Sequence, residues 1–385
     1  MPANAMVSVV KCPDYEPERV YAAVKKSLGI IGFRFPDGKN VLIKPNLIIP
    51  AKPELGITTH PAVVEAVCRL AKEAGCRVSV GESSGFFGGG TERAFEECGI
   101  RDACKRAGVE CRIFGSSGAK AFPSSGKVME KIVIARDVLD TDLVVNIPKL
   151  KTHCFTTFTG AVKNLFGAVP GSQKQECHAA GRNIDEFSGI LVDIYERVRP
   201  GLNIMDGVVG LEGDGPSLHG VPKSVGVIMA SADALAMDIE AGRIAGFSPE
   251  EIPTTRIALG RGLLPGGPAS VEVAGEKGLE IHFKRPGIKN QGMFRMFYSF
   301  INKRARSIPV PDPERCTGCG QCAEGCPVSA IVMGGGNKKI PEIERKKCIA
   351  CYCCHELCPC GAMELRVGRL AKIIKAGVGV VRRFA

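Results

Sequence analysis

Two cysteine runs of identical spacing constrain this chain most: Cys316, Cys319, Cys322 and Cys326 before Pro327, then Cys348, Cys351, Cys354 and Cys358 before Pro359. Three thiolates at such intervals reach the irons of one cube, and the fourth points away to serve another, so the runs carry the ligand pattern of two [4Fe–4S] clusters. The expected ligand sets are Cys316, Cys319, Cys322 and Cys358 for one cluster, and Cys348, Cys351, Cys354 and Cys326 for the other. Zinc usually takes two cysteine pairs separated by a longer loop, which these triplets do not offer. Cys353 and Cys360 sit beside expected ligands, and the spacing leaves them as free thiols.

The runs are halves of a duplication, because Cys326-Pro-Val-Ser-Ala330-Ile aligns with Cys358-Pro-Cys-Gly-Ala362-Met at a repeat of 32 residues. Residues 310 to 366 thus resemble the bacterial two-cluster ferredoxins, which implies a small α+β domain at 311–366.

In a chain of 385 residues, 45% of them hydrophobic, a much larger domain with its own core must precede that unit. No apolar run is long enough to span a bilayer, and the start Met1-Pro-Ala-Asn-Ala-Met-Val-Ser lacks the pattern of an export signal, so a soluble, cytoplasmic protein is expected. The other cysteines (12, 68, 76, 98, 104, 111, 154, 177) have no paired spacing, as expected of reduced thiols. Oxygen-sensitive clusters point to an anaerobic or microaerobic host.

Residues 284–385 hold 19 Lys and Arg against 7 Asp and Glu, whereas residues 1–283 hold 32 against 33. Part of this C-terminal positive excess compensates the thiolate charge of the clusters. The segment 284–306 combines basic and aromatic residues, and the tail 367–385 is basic and amphipathic. The first reads as a connecting helix packed on the large domain, and the tail equally as a membrane-surface contact. Neither sits in a nucleic-acid reading module, so no nucleic-acid partner is expected.

Over the first 240 residues short β-branched runs alternate with helical patterns, the signature of an α/β domain with a mostly parallel sheet. Strands are expected at Val7–Lys11, Val41–Pro45, Arg77–Glu82, Glu110–Phe114, Lys131–Ala135, Leu143–Ile147, Leu202–Asp206 and Ser224–Ala230. Helices are expected near 17–28, 60–74, 91–107, 157–166, 184–198 and 232–245. A strand pair at Val271–Val273 and Glu280–Phe283 would close the unit, giving an α/β domain over 1–270 and closing strands with a basic linker over 271–310.

No nucleotide-binding glycine fingerprint follows a strand. The glycine-rich turn Gly81-Glu82-Ser83-Ser84-Gly85 is suited to cradle an anion at a helix start, or is a plain crossover loop. More informative is Asn146-Ile-Pro-Lys149-Leu-Lys151-Thr-His153, at the sheet edge where α/β proteins bind ligands. Lys163 and Asn164 follow in an otherwise apolar helical stretch, where the lysine either snorkels to solvent or converges with the first segment on an anion site, the reading favoured here. Lys44 and Asn46 end the second strand. Asp206 ends a later one, before Glu212-Gly-Asp214-Gly-Pro216; these acids also suit ordinary turns. His60 is expected to cap a helix, and His178 lies in a polar loop.

Lys-Pro-Asn, Thr-Thr-His-Pro, Gly-Glu-Ser-Ser-Gly, Pro-Lys-Leu-Lys-Thr-His, Gly-Ala-Val-Lys-Asn-Leu-Phe-Gly and Glu-Gly-Asp-Gly-Pro occur in this order. Together they resemble domain-of-unknown-function family 362 over roughly residues 5–265. The resemblance implies an iron–sulfur protein with an appended two-cluster unit, and no settled reaction travels with it.

The expected function is an oxidoreductase relaying single electrons between a ferredoxin- or flavodoxin-type carrier and an anionic substrate or cofactor at the sheet edge. Lys149, Lys151 and Lys163 would neutralise the ligand, and His153, Glu82 or Asp206 would move the accompanying proton. Lys44, Asn46, Ser83, Ser84 and Asn164 would complete the pocket. A flavin or other second cofactor is compatible but has no motif. The alternative is a non-catalytic electron-transfer or assembly protein whose large domain docks onto an enzyme. The oligomeric state is not legible.

Overall fold

The computed structural model describes residues 5–85, 90–287, 307–335 and 338–366. The large domain is built on a ten-stranded sheet. Its strands are β1 (Ala5–Lys11), β2 (Asn40–Pro45), β3 (Arg77–Glu82) and β4 (Glu110–Ile113). The hairpin β5 (Ala119–Pro123) and β6 (Lys131–Ala135) forms its own small sheet, so the expected strand at 131–135 exists but lies off the main one. The main sheet continues with β7 (Leu143–Ile147), β8 (Lys149–His153), β9 (Thr157–Thr159), β10 (Leu202–Gly213), β11 (Gly220–Ser231) and β12 (Val271–Gly275).

The backbone order is β12-β1-β11-β10-β7-β2-β3-β4, with β8 and β9 branching from β10. Pairing from β10 through β4 is parallel, while β11 runs antiparallel between β1 and β10. Alternation along the strands divides the core into two layers. Val41, Ile43, Val145 and Ile147 face one layer under helices Pro17–Ile30 and Pro61–Glu73. Leu42, Val144 and Met205 face the other, under helices Ile184–Val198 and Ala234–Ile244.

Three expectations need correction. The helix expected over 91–107 is two helices, Gly90–Glu97 and Ile100–Ala107, broken at Gly99, whose φ of 75° only glycine adopts freely. Residues 157–166 are not one helix: β9 is followed by a single turn at Ala161–Asn164 and a tighter turn at Leu165–Ala168. Residues 280–283 form no strand, although 271–275 pairs in parallel with β1. Most of the basic segment 284–306 and the tail 367–385 lie outside the described residues.

The C-terminal unit is α+β. β13 (Ile308–Pro311) pairs with β16 (Met363–Arg366), β14 (Ile331–Met333) with β15 (Pro341–Ile343), and short helices span Gln321–Glu324 and Cys353–Glu356. Cys353 and Leu357 pack against Ile49, Ala51, Ile57 and Leu211 of the large domain. The Phe155 and Tyr352 rings meet edge to face at 5.9 Å, and Gln175 Nε2 donates to the Glu324 carbonyl at 2.7 Å. The second cysteine run is thereby docked on the α/β domain.

Candidate functional site

Each cysteine run closes a void together with the last ligand of the other. One is lined by Cys316, Cys319, Cys322 and Cys358, with Cys360 beside them. The other is lined by Cys326, Cys348, Cys351 and Cys354, with Cys353. The backbone N–H groups of Ala330 and Ala362 donate to the Cys326 and Cys358 sulfurs, each at 3.1 Å, so the duplication is repeated in the hydrogen bonds. Four convergent thiols per void with N–H donors to sulfur fit [4Fe–4S] cubes. Cys319 is exposed, whereas the second cage is covered by the large domain.

β7 stops at Pro148, which has no N–H to continue the ladder. The chain then runs on along β10 as β8, with Pro148 accepting from Asp206 N at 2.9 Å. Period-two alternation puts Lys149, Lys151 and His153 on one side of β8, all buried, and Leu150 in the core on the other. A polar strand of this kind reads as a loop in sequence.

The three side chains meet different partners. Lys149 Nζ donates to Asp206 Oδ2 at 2.8 Å and to Tyr15 OH at 2.7 Å, and Tyr15 OH donates to Asp206 Oδ1 at 2.8 Å. His60 N also donates to Asp206, its ring stacks on Tyr15, and its Nδ1 caps the following helix as expected. Lys149 and Asp206 thus satisfy each other and do not line the ligand cavity described below. Burial lowers the Lys149 pKa, against the attraction of Asp206.

Lys151 Nζ donates to Asn46 Oδ1 and to the Ile57 carbonyl, each at 2.7 Å. From Asn46 a line of amides continues inward: Asn46 Nδ2 to Asn164 Oδ1 (2.8 Å), Asn164 Nδ2 to Asn146 Oδ1 (2.8 Å), and Asn146 Nδ2 to Asn203 Oδ1 (2.9 Å). Asn46 and Asn164 were expected at the site; Asn146 and Asn203 buttress them.

His153 Nδ1 accepts from the backbone N–H of Phe155 (3.0 Å) and Thr156 (3.3 Å). Those bonds keep the ring proton on Nε2. Nε2 lies 3.3 Å from Glu356 Oε1 of the C-terminal unit. His153, Cys154 and Glu356 bring donor atoms within 4.8 Å of one another. A protonated Nε2 offers no lone pair, which argues against a metal there and for a contact between the domains. Burial pushes the His153 pKa well below its ordinary value and that of Glu356 up to about 7.

Between the sheet edge and the second cage lies a cavity of about 400 Å³. Its large-domain wall carries Asn46, Lys151, Lys163 and Asn164, and its far end Glu82, Ser83, Ser84 and Lys174. Cys353, Glu356 and Leu357 close it from the C-terminal unit, and His178 joins the lining. Cys353 is therefore shared by cavity and second cage.

The glycine-rich turn is not an empty anion cradle. Lys174 Nζ donates to Ser83 Oγ at 2.8 Å and to the Ser83 and Ser84 carbonyls. Lys44 Nζ lies 2.5 Å from Glu82 Oε2, and both are buried. Burial lowers the Lys44 pKa and raises that of Glu82. Gly167 permits this packing, since a Cβ there would lie 1.8 Å from Glu82 Oε1.

Lys163 differs from the other lysines. It stands on the turn Ala161–Asn164, whose first N–H groups, Ala161 and Val162, are held by the buried Asp238 carboxylate. Gly160 allows the close approach, because a Cβ there would lie 2.0 Å from Asp238 Oδ1. Among the described residues the Lys163 ammonium makes no hydrogen bond or salt bridge, and it opens into the cavity. Burial lowers its pKa, opposed by the Glu356 carboxylate.

Sequence reasoning missed Lys174 and Glu356. Lys174 sits in a polar helix with no strand-end signal, and Glu356 falls between two cluster ligands, where it reads as a spacer. Among the described residues no helix is long and apolar enough to cross a membrane.

Residues 41–242 match the model of the domain of unknown function DUF362, and residues 292–362 match a 4Fe-4S dicluster domain. A thylakoid-associated protein of Synechocystis sp. is 34% identical over 263 residues, which is 67% of this chain and 80% of the relative. The lactate racemase apoprotein from Thermoanaerobacterium thermosaccharolyticum aligns at 14% identity with a TM-score of 0.42, over 66% of this chain and 58% of that one. The chain is an iron–sulfur protein that belongs to the DUF362 family and carries a 4Fe–4S dicluster domain at its C-terminus.

Proposed function

We propose that this is an oxidoreductase in which two [4Fe–4S] clusters pass single electrons between an external carrier and an anionic substrate or cofactor in the cavity. The observation that carries this reading is Lys163: an ammonium with no hydrogen bond or salt bridge among the described residues, on a half-open cleft that shares Cys353 with the second cage. Lys163 is partly buried, and its burial lowers its pKa, so an anion in the cleft would favour its charged form. A shallow polar surface with every lysine paired to a neighbour would have favoured a docking module; a cleft of about 400 Å³ with this lysine unpaired favours a ligand.

The clusters, when bound, supply or accept electrons one at a time. Cys316, Cys319, Cys322 and Cys358, with Cys319 exposed, would hold the cube open to the carrier, and Cys326, Cys348, Cys351 and Cys354 would hold the cube against the cavity. Lys163 holds the negative charge of the ligand, and Lys151, fixed through Asn46 and Asn164, shapes that wall. A proton taken up on reduction of the ligand would come from Glu82, which lines the cavity and is paired with the buried Lys44 behind it. The Lys149–Asp206 pair holds β8 in place.

The carrier is of ferredoxin or flavodoxin type in this reading. Residues 307–366 hold 7 Lys and Arg against 7 Asp and Glu, so attraction of an acidic carrier would rest on the basic segments outside the described residues. The tail 367–385 would also supply any membrane-surface contact.

Anaerobic purification followed by mass spectrometry of the small molecules released on denaturation tests the cavity assignment. An anionic compound, a flavin included, should leave with wild-type protein and be absent from Lys163→Ala. A compound retained equally by both would remove Lys163 from the site.

A further inference from the structure

The two halves of the C-terminal duplication are not chemically equal. At the repeat of 32 residues, Gln321 corresponds to Cys353 and Val328 to Cys360, so the second half has gained two thiols where the first has an amide and an isopropyl group. Both additions fall on the cages. Cys360 lines the first void and places its sulfur 3.6 Å from Cys358 Sγ. Cys353 lines the second, beside Cys351 and Cys354.

Position argues against either thiol being a ligand. The Ala362 N–H bond to Cys358 matches the Ala330 bond to Cys326, which places Cys358 and Cys326 in the same structural role and leaves Cys360 outside it. Cys354 likewise corresponds to Cys322, and Cys353 to the non-ligand Gln321. A ligand sulfur is a thiolate, an acceptor only, so a neighbouring protonated thiol must be the donor of the pair. Hydrogen bonds to cluster sulfurs stabilise the more negative, reduced cube and raise its reduction potential.

We propose that Cys360 is a tuning thiol, donating an S–H hydrogen bond to the ligand sulfur of Cys358 and raising the potential of the cluster in the first cage. It touches no reacting atom through this role and acts through the ligand it contacts. The inference rests on the first cage holding a cluster but not on the identity of the cavity ligand.

The test is a redox titration of the full-length, anaerobically prepared protein followed by electron paramagnetic resonance, with iron counted in the same samples. Cys360→Ala should keep the wild-type iron content and move the midpoint potential of one signal to a lower value. Cys360→Ser, which retains a donor, should move it less. Unchanged potentials at full iron content would overturn the proposal. So would loss of half the iron from Cys360→Ala, which would make that thiol a ligand. Wild-type protein without iron would instead bring down the cluster reading on which the inference stands.

Discussion

His153 Nε2 lies 3.3 Å from Glu356 Oε1, and both atoms are buried without a hydrogen bond among the described residues. One belongs to the end of β8 and the other to the helix Cys353–Glu356, which carries the second-cage ligand Cys354. The contact therefore fixes the ferredoxin-like unit over the cavity. Removing one member takes away the polar contact of the other, at a cost of about 1 kcal/mol. His153→Ala should lower the denaturation midpoint by a corresponding amount while iron content stays at the wild-type level; an unchanged midpoint would show that the contact carries no stability.

Lys149→Ala would strand the Asp206 carboxylate, which is fully buried with Tyr15 OH, His60 N and Val208 N as its remaining donors. Breaking one side of a buried pair costs about 3–5 kcal/mol. Chemical denaturation should show a loss of that order, much larger than for Lys163→Ala, whose ammonium makes no hydrogen bond or salt bridge among the described residues. Equal losses in the two variants would contradict the distinction between a structural and a ligand-binding lysine.

Asp238 connects stability to pH. Burial raises its folded-state pKa to about 7 even though two backbone N–H groups favour the charged form. A raised folded value means that its stabilising contribution is present at low pH, below the unfolded value of about 3.9, and is lost as pH rises through about 7. Asp238→Asn should flatten the dependence of the thermal midpoint on pH between those limits. A variant with the wild-type slope would assign that slope to other groups.

Much of the fold was legible because the continuous β-branched runs of β2, β3 and β7 announce a buried parallel sheet. The misreadings have physical causes. Lys149–His153 is a strand with three ionisable residues, tolerable only because Asp206, Asn46 and Glu356 meet them from distant parts of the chain. Gly160 interrupts what reads as a helix, since it serves the approach of Asp238, 78 residues away. The site was legible in residue type but not in partnership. Sequence offered Lys44, Lys149, Lys151 and Lys163 as site residues, and tertiary contacts separate Lys163, which makes no hydrogen bond or salt bridge among the described residues, from the three already satisfied.

Lys163 also sets a pH limit on ligand binding. Burial lowers its pKa, so the ammonium loses its proton below the ordinary lysine value of about 10.4. Affinity for the anion that copurifies with the protein should be constant at low pH and fall as pH rises through that depressed value. Calorimetric titration of stripped protein across alkaline pH checks it, and binding that strengthens with pH would exclude an ammonium–anion contact.

The central claim is that the duplicated cysteine runs hold two electron-carrying cubes, one of them against the cavity. The most direct measurement is iron, acid-labile sulfide and electron paramagnetic resonance on the anaerobically purified, reduced protein. About eight iron and eight sulfide per chain with two interacting signals are expected from a two-cluster cysteine set. Stoichiometric zinc, or a single isolated cluster signal at four iron per chain, would contradict it.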